Sequence, residues 1–358
     1  MNRIIFGGGF DPIHLGHINM ALAAKEILKG EVIFVPAQIA IWKEKSIAKE
    51  HKIAMIQLAI AKYDGFSIDT FELDQEEQPR SYQTVAYFKK KYPHDKLYFL
   101  IGQDQANSFD LWSNPEEIVK NAQIVYYKRP KYDVNQANID RFNMKAIEGP
   151  VVDVSSSDIR SLKSVAANEE VLKYIEQNNL YFIPKIKSYI SDTRFSHSLE
   201  VAHLAYRLAK KHGADCQKAY IAGILHDIAK GISKDDSLAM MKELYPNYLD
   251  IGAYAYHQFL GEAIAKRDFE VVDEDILNAI KYHTTGRKGM SWLEKLIYAS
   301  DKIEPTRQFD SSDLIEAMEK DLNSGFVVVL NANYEYLKSK QKDINNSLTD
   351  ECFKEYLG

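Results

Sequence analysis

The sequence predicts two domains of different class: an α/β domain with a doubly wound parallel sheet over residues 1–183, then an all-α helical bundle over residues 184–358. Three observations carry this. A chain of 358 residues has room for two domains at roughly 150 residues each. Its first half alternates short, continuous apolar runs with helical patterns, as strands joined by crossover helices do. Beyond about residue 184 such runs largely vanish and apolar residues recur three and four apart.

The elements follow in order. Arg3–Phe6, Glu31–Val35, Lys96–Ile101 and Ala122–Tyr127 are β-branched or aromatic runs without alternation, the pattern of strands buried on both faces. Helical spacing fills Ile18–Leu28, His51–Tyr63 and Tyr82–Lys91 between them. The stripes Val201, Leu204, Leu208 and Ile276, Leu277, Ile280 typify the second half. The junction, Glu176–Lys187, contains Pro184 but no Gly/Ser-rich spacer, so close apposition of the domains is expected.

Composition narrows the class. With 46% hydrophobic and 27% charged residues the chain has ordinary cores and no signature of disorder. Forty-five Lys and Arg against 51 Asp and Glu leave a charge of -6, without the basic excess expected of a nucleic-acid or anionic-membrane binder. Two cysteines, Cys216 and Cys352, are too few for a disulfide framework and fit a reducing cytosol. No charged leader with an apolar stretch opens the chain, and no apolar run reaches 18 residues, so a cytoplasmic protein is expected.

The first strand runs into Gly7-Gly8-Gly9-Phe10-Asp11-Pro12-Ile13-His14-Leu15-Gly16-His17, with a helix expected to start at about His17. Glycines at the carboxyl end of a strand let the backbone approach a ligand closely, where open sheets bind nucleotides. His14 and His17 would stand at the helix N-terminus, where free N–H groups and the macrodipole favour phosphate. This segment resembles the H-x-G-H nucleotidylyltransferase superfamily, whose domain is Rossmann-like. Arg80-Ser81-Tyr82-Gln83-Thr84, Ile101-Gly102-Gln103-Asp104 with Trp112, and Val154-Ser155-Ser156-Ser157-Asp158-Ile159-Arg160 resemble blocks of the bacterial nicotinate-nucleotide adenylyltransferases.

That resemblance implies attack by the phosphate of nicotinate mononucleotide on the α-phosphorus of ATP, giving deamido-NAD and pyrophosphate with Mg²⁺. His14, His17, Lys43 and Arg160 form the expected phosphate cradle. Gly7, Gly8, Gly9, Phe10, Asp11, Gly102, Asp104 and the serines Ser155, Ser156 and Ser157 are expected to border the nucleotides, and Tyr82, Thr84 and Trp112 to hold the pyridine ring. Two departures stand out: Gly9 occupies a position where the family has Ser or Thr, and Pro36–Lys43 matches the family's P-P-H-K loop imperfectly. Another phosphate acceptor is the alternative substrate.

In the helical half, His197, the pair His226-Asp227, His257, His283 and Asp301 fall on or beside apolar stripes, so six ligand-type groups are expected to face inward. Unpartnered burial of so many ionisable groups is costly, and imidazole with carboxylate suits iron, manganese or zinc. The arrangement resembles the HD phosphohydrolase superfamily. Arg194-Phe195-Ser196-His197, Ala222–Lys230, His283–Arg287 and Ala299–Pro305 resemble the bacterial symmetrical bis(5′-nucleosyl)-tetraphosphatases.

By that resemblance His197, His226, Asp227 and Asp301 bind one metal and His257 with His283 a second, with Asp227 bridging a dinuclear iron or manganese centre and serving catalysis. Diadenosine tetraphosphate (Ap4A) would be cut into two ADP, with Arg194, Lys230 and Arg287 as phosphate clamps. A regulatory nucleotide-binding module is the alternative for this half. The oligomeric state is not encoded in any of these motifs.

Overall fold

The structure, a computed structural model of the chain, describes residues 1–38, 47–129, 133–307, 309–340 and 346–358. It divides into two compact units, Met1–Arg160 with Ala166–Leu180, and Ser161–Val165 with Tyr181–Gly358. Among the described residues no helix is long and apolar enough to cross a membrane.

The first unit contains β1 (Asn2–Gly8), α1 (Leu15–Leu28), β2 (Glu31–Pro36), α2 (Lys49–Ile60), β3 (Phe66–Ile68), α3 (Ser81–Lys91), β4 (Lys96–Gly102), α4 (Gln103–Asn107), α5 (Pro115–Asn121), β5 (Gln123–Tyr127), α6 (Gln136–Arg141), β6 (Lys145–Ile147), α7 (Ser156–Arg160) and α8 (Glu169–Gln177). The strands form one sheet in the order β3-β2-β1-β4-β5-β6, parallel at every pairing. Strand order reverses between β1 and β4, which opens a crevice at their carboxyl ends. Ile4, Ile5, Phe34, Leu100 and Ile124 are buried with their strands, as two-sided cover by helices requires.

Two features differ from expectation. β3 and β6 are edge strands of three residues each in which Ile147 alone is buried, so no apolar run announces them. Helix α1 begins at Leu15, two residues before the expected start, because the His14 carbonyl accepts the His17 and Ile18 amides and makes His14 the N-cap.

The second unit is helical: α9 (Ile183–Lys187), α10 (Asp192–Lys211), α11 (Cys216–Leu225), α12 (Lys234–Leu244), α13 (Tyr256–Asp268), α14 (Glu274–Lys281), α15 (Trp292–Ile303), α16 (Ser312–Lys320), α17 (Leu322–Ser339) and α18 (Ser347–Leu357). Side-chain caps start many of them. Ser191 accepts the Arg194 amide, Asp215 the Gln217 and Lys218 amides, and Ser291 with Glu294 closes a capping box at α15. Helices α10 and α11 pack together with backbones almost touching. A Cβ on Gly223 would lie 2.7 Å from the Ala202 Cα, so only glycine permits this approach.

The chain is woven between the units. Ser164 and the Val165 amide bond the Gln217 side chain of the helical unit, and Lys163 pairs with Glu270. Ala166 then returns to accept the Leu15 amide, and Asn168 donates to the Ala59 carbonyl in the α/β unit.

Candidate functional site

In the α/β unit, β1 delivers Gly7 and Gly8 to the crevice and the following turn brings the two histidines together. Their rings stack with centroids 3.6 Å apart and 26° between planes. Gly16 makes this possible, since a Cβ there would lie 3.0 Å from His14 Nδ1. Likewise a Cβ on Gly8 would press on the Phe10 ring at 3.0 Å, whereas one on Gly9 would meet nothing within 4 Å. The Gly9 departure therefore leaves an open position.

The His14 amide donates to His17 Nδ1 at 3.3 Å, which leaves the His17 proton on Nε2. His14 Nδ1 is buried and has no hydrogen-bond partner. Burial, followed by the nearby Arg129 cation, brings His14 down to about 4. His17 is held well below its ordinary value by burial, by His14 and by Arg129. At neutral pH both rings are therefore uncharged hydrogen-bonding groups.

The serine block closes the same crevice. Ser155 Oγ accepts the Asp158 amide at 3.1 Å, Ser156 Oγ donates to the Pro12 carbonyl at 2.8 Å, and Arg160 reaches the Asp11 carbonyl. Ser157 is exposed. At the end of β4, Gly102 leaves room for the Asp104 carboxylate, whose Oδ1 lies 3.9 Å from Arg129 Nη1. Lys43 lies outside the described residues. Lys52, nearly fully buried, donates to the Ala37 carbonyl, and burial lowers its pKa.

Three residues assigned to the pyridine ring separate. Trp112 packs edge-on against Phe99, with centroids 6.2 Å apart, and with Arg80 and Ser81 borders a recess of about 330 Å³. Tyr82 is partly buried against the same core. Thr84 departs from expectation: it is fully buried and its hydroxyl donates to Glu72 Oε1 at 2.6 Å, so it braces an interior carboxylate rather than facing a ligand.

In the helical unit the six ligand candidates converge. His197 Nε2 lies 3.1 Å from Asp301 Oδ1, and His226 Nε2 lies 3.6 Å from the same oxygen. Asp227 divides its oxygens. Oδ2 lies 3.5 Å from His226 and 3.9 Å from His197, while Oδ1 lies 3.3 Å from His257 and 3.4 Å from His283. Two overlapping groups, His197-His226-Asp301 and His226-Asp227-His283, could each hold a metal ion, with ligand atoms within 4.8 Å of one another.

The site suits a cation on its own terms. His226 Nδ1 faces the Gly223 carbonyl at 2.6 Å and so carries a proton, while its Nε2 is buried without a hydrogen-bond partner. Burial alone would raise Asp227 and Asp301. Surrounding cationic and imidazole groups outweigh it, His226 first for Asp227 and Lys302 first for Asp301, and hold both carboxylates well below their ordinary range. Imidazole and carboxylate donors of this kind fit a divalent metal.

Cations surround the cluster: Arg194 on Asp227 at 2.8 Å, Lys302 on Asp301 at 2.6 Å, Arg307 on Asp301 at 2.8 Å, and Lys230 beside His257 at 3.0 Å. Arg194, His197, Lys302, Thr306, Arg307 and Asn333 line a cleft of about 1110 Å³. Arg287 departs from expectation. Its guanidinium makes two bonds to fully buried Glu294, at 2.6 and 3.1 Å, and so anchors a loop instead of standing ready for phosphate. Sequence reasoning missed Arg129, Lys302, Glu304 and Arg307. Glu304, one helical turn beyond Asp301, carried the one available signal, a second acid on the buried side of α15.

Residues 5–162 match the cytidylyltransferase-like family and residues 194–318 the HD domain family. A "Probable nicotinate-nucleotide adenylyltransferase/Ap4A hydrolase" of Mycoplasma genitalium is 32% identical over 352 residues, covering 95% of this chain and 99% of that protein. The "Bis(5'-nucleosyl)-tetraphosphatase, symmetrical" of Bacillus subtilis is 36% identical over 162 residues, 44% of this chain and 87% of that protein. A "Probable nicotinate-nucleotide adenylyltransferase" of Carboxydothermus hydrogenoformans is 35% identical over 193 residues, 49% of this chain and 96% of that protein. One relative aligned from end to end, and one more for each half, show that the chain belongs to the family of fused nicotinate-nucleotide adenylyltransferase/Ap4A hydrolases.

Proposed function

We propose that the chain is a bifunctional enzyme: residues 1–183 transfer AMP from ATP to nicotinate mononucleotide, and residues 184–358 hydrolyse Ap4A symmetrically to two ADP. The observation that carries this reading is the end-to-end similarity to a fused relative, joined to two separate reactive clusters in one chain.

In the transferase, the phosphate of nicotinate mononucleotide forms the new bond to the α-phosphorus and pyrophosphate leaves with the bond it breaks. The nucleophile is already anionic, so positioning and charge stabilisation do the work. His17 offers its Nε2 proton and His14 a ring N–H to phosphate oxygens as neutral groups, at the positive end of α1. Arg160, Arg129 and Lys43 supply the positive charge, and the recess beside Trp112 takes the pyridine ring. Mg²⁺ carried by ATP would supply further charge neutralisation at the phosphates.

In the hydrolase, His197, His226, Asp227 and Asp301 would hold one metal, and Asp227 with His257 and His283 would hold a second; iron or manganese would suit these donors. When bound, the metals supply Lewis acidity to a phosphoryl group. Arg194, Lys230, Lys302 and Arg307 are placed to exchange their present partners for the polyphosphate, and the adjoining cleft has room for it. Pyrophosphate release from ATP with nicotinate mononucleotide, compared with nicotinamide mononucleotide and phosphopantetheine, tests the first activity. ADP formation from Ap4A with Mn²⁺ or Fe²⁺ tests the second. No nicotinate preference, or no ADP, removes the corresponding half of the reading.

A further inference from the structure

Three ligand imidazoles of the helical unit, those of His226, His283 and His197, are oriented in two different ways. His226 follows the last residue of α11 and His283 stands just past α14, where helix-end carbonyls lack intrahelical donors. Their Nδ1 protons go to such carbonyls three residues back, Gly223 at 2.6 Å and Ile280 at 2.7 Å. His197 lies inside the 20-residue α10, where the nearby carbonyls are already used by the helix. Its Nδ1 partner must come from elsewhere in the chain, and it is Glu304 Oε1, at 3.1 Å and 107 residues away.

Glu304 is built for this task. It is 2% exposed. Oε2 accepts the Thr306 amide at 2.6 Å and the Thr306 hydroxyl at 2.7 Å, which leaves Oε1 aimed at the imidazole. Arg307 Nε lies 3.6 Å from Oε1 and balances the charge. Because Asp301 and Glu304 are one turn apart at the end of α15, that single turn places Asp301 Oδ1 on Nε2 and Glu304 on Nδ1 of the same ring.

We infer that Glu304 is the positioning residue of the hydrolase centre: through His197 Nδ1 it fixes the ring and its tautomer, keeping the Nε2 lone pair directed at the metal shared with His226 and Asp301. Thr306 and Arg307 hold Glu304 in place. The inference rests on the metal-centre reading above and adds a residue to it. A charged acceptor makes His197 a stronger donor than a carbonyl would, so the first metal position depends on Glu304 in a way that the position beside His257 and His283 does not.

The test uses the full-length protein and Mn²⁺ binding followed by the EPR signal of the free ion, with Ap4A hydrolysis measured in parallel. Glu304→Ala should weaken one Mn²⁺ site about 10- to 100-fold. Excess Mn²⁺ should restore kcat while KM for Ap4A stays at the parental value. Glu304→Gln, which keeps the shape and an acceptor oxygen, should show a smaller loss in affinity. Parental Mn²⁺ affinity in Glu304→Ala overturns the inference; where that variant does not fold, parental affinity in Glu304→Gln does so. A parental protein that binds no Mn²⁺ or Fe²⁺ would instead remove the metal-centre reading itself, and this inference with it.

Discussion

His14 and His17 act as a stacked, uncharged pair, and this makes two predictions specific to single residues. His17→Ala removes one aimed donor and should lower pyrophosphate release about 100- to 1000-fold while Ap4A hydrolysis is retained. Asp227→Ala, which removes the carboxylate whose Oδ2 faces His197 and His226 and whose Oδ1 faces His257 and His283, should give the reverse pattern. Joint loss of both activities from either change would mean that the units fail together. The second prediction concerns acid. A histidine whose pKa is lower in the folded state binds its proton less readily there, so its contribution to stability is complete above about pH 6.5 and is lost as pH falls toward 4. For His14 that span corresponds to about 3 kcal/mol. Unfolding followed at pH 7 and pH 4.5 should show a smaller acid loss in His14→Gln than in the parent. An equal loss in both proteins would assign the acid sensitivity to other groups.

Among elements, the α10–α11 contact decides whether the hydrolase ligands meet, since His197 is carried by one helix and His226-Asp227 by the end of the other. Gly223→Ala should cost about 1–3 kcal/mol by forcing the helices apart. Ap4A hydrolysis should fall and the helical unit should melt earlier, with transferase activity kept. Unchanged melting would show that the contact yields more readily than its 2.7 Å geometry implies. Elements of this kind were unevenly legible in the sequence. β1, β2, β4 and β5 could be read because two-sided burial demands continuous apolar runs, whereas the short edge strands β3 and β6 demand none. The six ligand candidates could be read from residue type and helical phase. The directions of Thr84, Arg287 and Glu304 could not, because each is set by a partner distant in the fold or by the loop around it: Glu72, Glu294, and His197 with Thr306.

At the scale of the whole molecule, the two chemistries should separate by their metal requirement. Treatment with a chelator followed by return to Mg²⁺ alone should restore pyrophosphate release but not ADP formation from Ap4A, which should need Mn²⁺ or Fe²⁺; full recovery of both in Mg²⁺ would count against a dedicated centre of imidazole and carboxylate donors. The covalent path does not separate so cleanly. The chain lends Ser161–Val165 to the helical unit, goes back for Ala166–Leu180, and leaves the α/β unit for good only at Tyr181. No single peptide bond can therefore be cut to give two intact halves. A truncation at 183 keeps the transferase but takes Ser164 away from Gln217, and a truncation at 160 leaves the α/β unit without the residues that hold Leu15 and Ala59. On the ribosome, the first unit is complete only after Leu180 has emerged, when five residues already committed to the second are waiting for their partners. A recombination event that exchanges either activity for a homologue needs breakpoints on both sides of that segment.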